Sequence, residues 1–205
     1  NIAVISNPAA NGTSVINETL FNLTNNSAPV NYQITTTTPS GCSKTETIVV
    51  TVKPIPSLTS ATPVPAICSG ATLNYSATSN TINVLFDWER SYVAGINEAL
   101  SKGAGNISEI LTNTTSNVLL VPYIYTLSAN GCSNSETIFA TVNPVLVSPD
   151  ISATICSSSE AIITSTTLPQ NTLYTWSSLS NTGGVFGSSS QTFSSQKNIS
   201  QKLFN

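Results

Sequence analysis

The chain has 205 residues, 40% hydrophobic and only 7% charged, with six Lys+Arg against nine Asp+Glu and a formal net charge of −3. Disorder goes with lower hydrophobicity and higher net charge, so the chain reads as folded, and so few cations leave no basic stripe to follow a phosphate backbone, which argues against nucleic acid as a partner. No run of 18 apolar residues exists to insert in a membrane, and histidine is absent, which removes Ser-His-Asp and Cys-His catalysis and most zinc and iron sites.

In chain order, Thr- and Val-rich stretches favour strands, and scattered Pro and Gly cut every candidate helix short. The first stretch, 1–53, carries Ile16 to Thr24, then Val30 and Tyr32, then Gly41-Cys42 and the run up to Pro54. The second, 54–143, reads as a succession of short strands. Leu73 and Tyr75 alternate after Gly70. Val84, Phe86 and Trp88 form the next alternating set, with Trp88 facing a core. Arg90 to Gly105 lacks strand periodicity and reads as a long loop with one helical turn, packed by Val93 and Ile96. Its Tyr92, Glu98 and Lys102 are the candidate contact residues, since loops carry variation and contacts. Ile107, Glu109 and Leu111 lie in another extended stretch. Leu119, Val121, Tyr123, Tyr125 and Leu127 make the longest period-two run, and the Asn130-Gly131 turn leads to Ile138, Ala140 and Val142 as a hairpin. Strands at this spacing in about ninety residues indicate a two-sheet sandwich. The third stretch, 144–205, holds Thr154-Ile155-Cys156, Trp176 and Asn198 to Asn205.

These stretches repeat one another. Gly41–Pro54 returns as Gly131–Pro144, Ile16–Thr24 as Ile107–Thr115, Ala66–Gly70 as Thr154–Ser158, and Asn106–Asn113 as Asn198–Asn205, with Trp88 answered by Trp176. The expected organisation is all-β tandem sandwiches with a period of about ninety residues: the C-terminal part of one repeat at 1–53, a complete repeat at 54–143, and the N-terminal part of a third at 144–205. Arrays of this kind are built for length, display or multivalent contact and seldom for chemistry in each unit. The core of such units is expected to include Leu73, Trp88, Tyr123 and Trp176.

The residues point to no catalytic group, metal or cofactor. Asp87 and Glu89 lie two apart on one strand beside Arg90, which reads as a solvated, Arg-neutralised edge, whereas a glycosidase pair faces across a cleft. No loop has the acid density of a calcium site. Glu18 and Glu109 recur at one repeat position, which suggests a structural hydrogen bond or salt bridge.

The order Ile67–Gly70, Trp88–Arg90, Val93–Ile96, Gly103–Thr115, Gly131-Cys132 and Val142–Pro144 resembles the PKD-like repeats of large Bacteroidetes surface proteins. The sequence departs from that pattern at Ser158, where the motif has Gly, and at Gln201, where the other units carry Glu. The resemblance implies immunoglobulin-like β-sandwiches strung into exported, adhesin-like proteins, including those tied to gliding motility and the type IX secretion system. It implies an extracellular or cell-surface location, with neighbouring repeats, surface glycans or other cells as partners.

Recurrence of each cysteine once per unit, with no C-x-x-C pair, fits structural disulfides in an oxidising compartment. Cys68 and Cys132 are the natural pair by sequence, with Cys42 and Cys156 paired outside the window. A simple immunoglobulin topology places the two positions at opposite ends of the sandwich, about 25 Å apart along a strand, while a disulfide needs Cα atoms within about 7 Å. Either the topology departs from that scheme, or the first cysteine of one unit faces the hairpin of the next. The expected function is a non-catalytic stalk or filament of a surface protein. The alternatives are a carbohydrate-binding accessory module, which needs exposed aromatics in a row, and a filament subunit with strand exchange.

Overall fold

The computed structural model describes residues 4–7, 16–146, 150–164, 172–178, 183–194 and 198–205. Among them the elements are all strands. Near the N-terminus, β1 (Val4–Asn7) pairs antiparallel with β2 (Thr19–Asn22), and β3 (Ala28–Thr37) with β4 (Ser43–Val52). Seven strands follow: β5 (Ile67–Cys68), β6 (Ala71–Tyr75), β7 (Leu85–Arg90), β8 (Ser101–Ala104), β9 (Ile107–Leu111), β10 (Leu119–Ala129) and β11 (Cys132–Asn143). The C-terminal part holds β12 (Glu160–Thr164), β13 (Tyr174–Trp176), β14 (Gln191–Ser194) and β15 (Asn198–Lys202), which pair as β12–β15 and β13–β14.

The seven central strands make a sandwich. A five-stranded sheet in the order β5-β11-β10-β7-β8 lies over the two-stranded sheet β6-β9. Period-two alternation drives it: Val121, Tyr123, Tyr125 and Leu127 on β10, with Ile138, Ala140 and Val142 on β11, meet Leu73, Tyr75, Ile107 and Leu111 of the smaller sheet in one buried cluster. Each large side chain taken from water in this way contributes on the order of 1.5–3 kcal/mol. The β10–β11 hairpin closes over two residues, with Ala129 opposite Cys132. Asn130 and Gly131 both have positive φ, 54° and 81°, the geometry that matches the twist of the flanking strands.

Residues 54–68 cross the sandwich alongside β11. Pro54 and Pro56 are buried, the Leu58 amide donates to Glu136 Oε1 at 2.9 Å, and Ile67 and Cys68 pair parallel with Val142 and Asn143. The chain thus enters this sandwich at the hairpin tip and crosses to the far end before the first inner strand begins.

Two expectations are corrected here. The stretch Arg90 to Gly105 contains no helical turn. It bends at Ala94-Gly95 and then supplies the edge strand β8, hydrogen-bonded to β7 with Trp88 opposite Gly103. The edge strand escapes periodicity analysis because glycine and alanine carry no side-chain signal, yet glycine is what its place requires: a Cβ on Gly103 would lie 2.6 Å from Trp88 Cζ2. Arg90 also does not neutralise Asp87 and Glu89. Strand alternation turns it to the opposite face, where it is 2% exposed.

Candidate functional site

The most elaborate polar site is buried in the central sandwich. Phe86, Trp88 and Arg90 share the inner face of β7, and Arg90 reaches β9. Its Nε donates to Glu109 Oε2 at 3.1 Å, and Nη2 donates to the Ala99 carbonyl at 2.7 Å. The Tyr123 hydroxyl donates to the same Glu109 oxygen at 2.6 Å, and the Arg90 guanidinium stands 6.0 Å from the Tyr123 ring centre. Burial pushes the Glu109 carboxyl up, but hydrogen bonds from Ser101, Tyr123 and Arg90, with the Arg90 charge, outweigh it and hold the group below its ordinary value. Burial and the Glu109 charge push the Tyr123 hydroxyl far up. An ion pair whose arginine is closed off from solvent and whose carboxylate already accepts from its neighbours has no vacancy for a substrate. It ties β7, β9, β10 and the 91–100 strap together.

A second polar site is built around Asn113, 2% exposed. Its Nδ2 donates to the carbonyls of Asn117 and Val142 at 2.7 and 3.0 Å, while Oδ1 accepts from the Thr115 amide and hydroxyl at 2.9 and 2.8 Å. The side chain closes the loop between β9 and β10 and clips it to the end of β11. In the N-terminal part the same bonds recur. Asn22 Nδ2 donates to the carbonyls of Asn26 and Val52, both at 2.7 Å, and Oδ1 accepts from the Thr24 amide and hydroxyl at 2.9 and 2.8 Å. Tyr32 donates to Glu18 at 3.1 Å as Tyr123 does to Glu109. In the C-terminal part, Ser157 Oγ exchanges bonds with the Asn205 backbone, as Ser69 Oγ does with Asn113. Ser158 stands at φ 72° where Gly70 stands at 78°, so serine occupies the left-handed position that the resemblance assigns to glycine.

Of the aromatic residues, Tyr123 is closed off from solvent and Trp88 is 8% exposed, and their rings pack edge-to-face at 5.7 Å. Leu73 lies in the same core. Trp176, on β13, is only half-buried. On the outer face of β7, β8 and β10, Asp87, Glu89, Lys102, Ile124 and Thr126 line an open groove of about 550 Å³. Glu89 lies opposite Lys102 across the β7–β8 ladder. Among the described residues no group of three or more His, Cys, Asp or Glu is placed to hold a metal ion.

The three contact-loop residues have separate fates. Tyr92 projects, 69% exposed. Glu98 is half-buried and accepts from the Thr112 amide at 2.8 Å. Burial pushes its carboxyl up, but the hydrogen bonds from Thr112 and the Arg90 charge hold it below its ordinary value. Lys102 belongs to β8 and borders the groove. The strap is therefore fastened from beneath. Gly95 accepts at its carbonyl from Thr114, and a Cβ there would meet Thr115 at 2.6 Å.

No two of the four cysteines are joined to each other, and the expected Cys68–Cys132 bridge is not made. Cys132 opens β11 and Cys68 pairs with Asn143 at its end. Eleven residue steps along a strand separate those ends by roughly 35 Å, far beyond the reach of a disulfide.

Residues 65–146, which span β5 to β11, match the family model of the PKD-like domain. A search of curated proteins found no match. The matched stretch, which folds as the central two-sheet sandwich, is thus similar to PKD-like domains. PKD-like domains are generally non-catalytic and typically extracellular, and no helix of the described residues is long and apolar enough to cross a membrane.

Proposed function

We infer that this chain is part of a tandem array of PKD-like units serving as a non-catalytic structural or adhesive region of an extracellular protein. The observation that carries the reading is the recurrence of the Asn113 cage at Asn22, bond for bond, at a separation of about ninety residues. The pairing registers agree with it. Tyr32 lies opposite Ile48 as Tyr123 lies opposite Ile138, and Ala161 opposite Gln201 as Leu73 lies opposite Glu109. In this reading 1–53 and 144–205 are portions of flanking units around the unit at 54–143. The work of the array is mechanical: it sets a reach from the cell surface and presents repeated weak contacts. A surface protein of the Bacteroidetes adhesin type, exported by the type IX route, accommodates the resemblance best.

The carbohydrate-binding reading needs an aromatic row facing solvent, whereas Tyr75, Trp88, Tyr123 and Tyr125 all face the core.

Pulling the intact protein by its ends under reducing conditions tests the array. The expected trace is a series of equal unfolding steps, each releasing roughly 300 Å for about ninety residues at 3.3–3.6 Å each. One single large step would overturn the reading.

A further inference from the structure

The cysteines occupy two kinds of position. Cys42 and Cys132 lie at hairpin tips, where Cys132 is half-buried and Cys42 exposed, and Cys68 and Cys156 lie two residues before the left-handed positions Gly70 and Ser158. Within one sandwich the two kinds lie at opposite ends, so no unit bridges itself. The path of the chain brings them together differently. A unit is entered at its hairpin tip and left at the end of β11, beside Cys68. The end of one unit must therefore meet the tip of the next.

The junction after β4 shows this meeting. Lys53 Nζ donates to the Asn130 carbonyl at 2.6 Å and stands 3.7 Å from a Cβ position on Gly131, next to Cys132. Lys53 follows Val52 as Asn143 follows Val142, and Asn143 is the residue opposite Cys68. The place beside Lys53, one strand spacing of about 4.8 Å away, is thus the place where a unit's first cysteine sits. Both kinds of thiol converge on one junction.

We propose that the first cysteine of each unit is cross-linked to the hairpin cysteine of the unit that follows, so that disulfides staple successive sandwiches. Cys132 takes the first cysteine of the unit before it, and Cys68 takes the hairpin cysteine of the unit after it. Neither partner lies within residues 1–205. Each bridge forms one Sγ–Sγ bond with loss of two protons and two electrons. They pass to a disulfide-bearing oxidant, whose own S–S bond is reduced to two thiols. The proposal rests on the array reading.

The test is non-reducing digestion and mass mapping of the intact protein taken from its oxidising compartment, with free thiols alkylated first. The expected result is a Cys132 peptide joined to an upstream Ile-Cys peptide, and a Cys68 peptide joined to a downstream Gly-Cys peptide. Cys68→Ser, a change at an exposed site, should leave one additional alkylated thiol, on the following hairpin. Flanking chain without such motifs at about ninety-residue spacing would overturn the array and the staple together. If the motifs are present, alkylation of Cys68 and Cys132 without reduction, or a Cys68–Cys132 peptide, would overturn the staple alone.

Discussion

Arg90 is the one charged residue buried in the central sandwich among the described residues. Its side chain is 1% exposed and that of Glu109 15%, so removing the carboxylate strands a charge that cannot return to water. Glu109→Gln should cost about 3 kcal/mol, read as a lowered urea midpoint with the slope unchanged. The pH dependence follows from the same pair. Glu109 is held below its ordinary value of 4.5 in the folded state, so on acidification the unfolded chain takes up its proton first. The stability it supplies is complete above the unfolded value and falls away as pH drops through the lower, folded one. Denaturation midpoints at pH 7 and pH 3 should differ less in Glu109→Gln than in the parent, and equal differences would count against the assignment. Gly103 makes a steric counterpart: Gly103→Ala forces a methyl into Trp88 and should cost about 1–3 kcal/mol, with a change in Trp88 emission. The recurrence of Glu18 and Glu109 marked a structural bond in the sequence alone. The destination of Arg90 was also legible by parity, since 86, 88 and 90 share a face, but adjacency to Asp87 and Glu89 suggested a surface pair instead.

At the scale of elements, alternation and turn chemistry carried most of the information. Tyr123, Tyr125 and Leu127 declared β10, and Asn130-Gly131 declared its turn, because period-two burial and positive φ leave strong marks on residue choice. The edge strand β8 was hidden because Ser101-Lys102-Gly103-Ala104 has no apolar alternation. Its place is set by Trp88 lying across Gly103, a tertiary demand. The Asn113 loop was legible as a repeated sequence but not as a cage, since nothing local says that the amide reaches Val142, 29 positions on. Asn113→Ala leaves the carbonyl of Val142 and the amide of Thr115 without this partner, and a loss of about 2 kcal/mol is expected. Amide exchange at Thr115 should accelerate more than at the distant Asn130 turn. Equal acceleration at both would mean that the cage has no local role.

For the whole molecule, the decisive contrast lies between two hairpins of equivalent sequence. Ile138 and Ala140 on β11 are 2% and 0% exposed, while Ile48 and Val50, their counterparts on β4, are 45% and 37% exposed. Of the strands packed on β10 and β11, β9 has its counterpart in β2 beside β3 and β4, whereas β5, β6, β7 and β8 have none among the described residues. A two-stranded hairpin with so little cover is marginal in water, so the two should differ in stability despite matching registers. The junction at Lys53 and the buried Pro54 and Pro56 tether the first hairpin without covering its face. In the array reading, which end of one unit meets which end of the next follows from the route of residues 54–68 along β11, a long-range feature that periodicity does not encode. When residues 1–205 are produced alone, hydrogen exchange should show the β3–β4 amides opening well before those of β10–β11, by a local route. On the array reading, a longer chain that supplies the front strands of this same unit over Ile48 and Val50 should bring the β3–β4 amides towards the protection of β10–β11. Equal protection of both hairpins in the 205-residue chain would show that the exposed face needs no such cover.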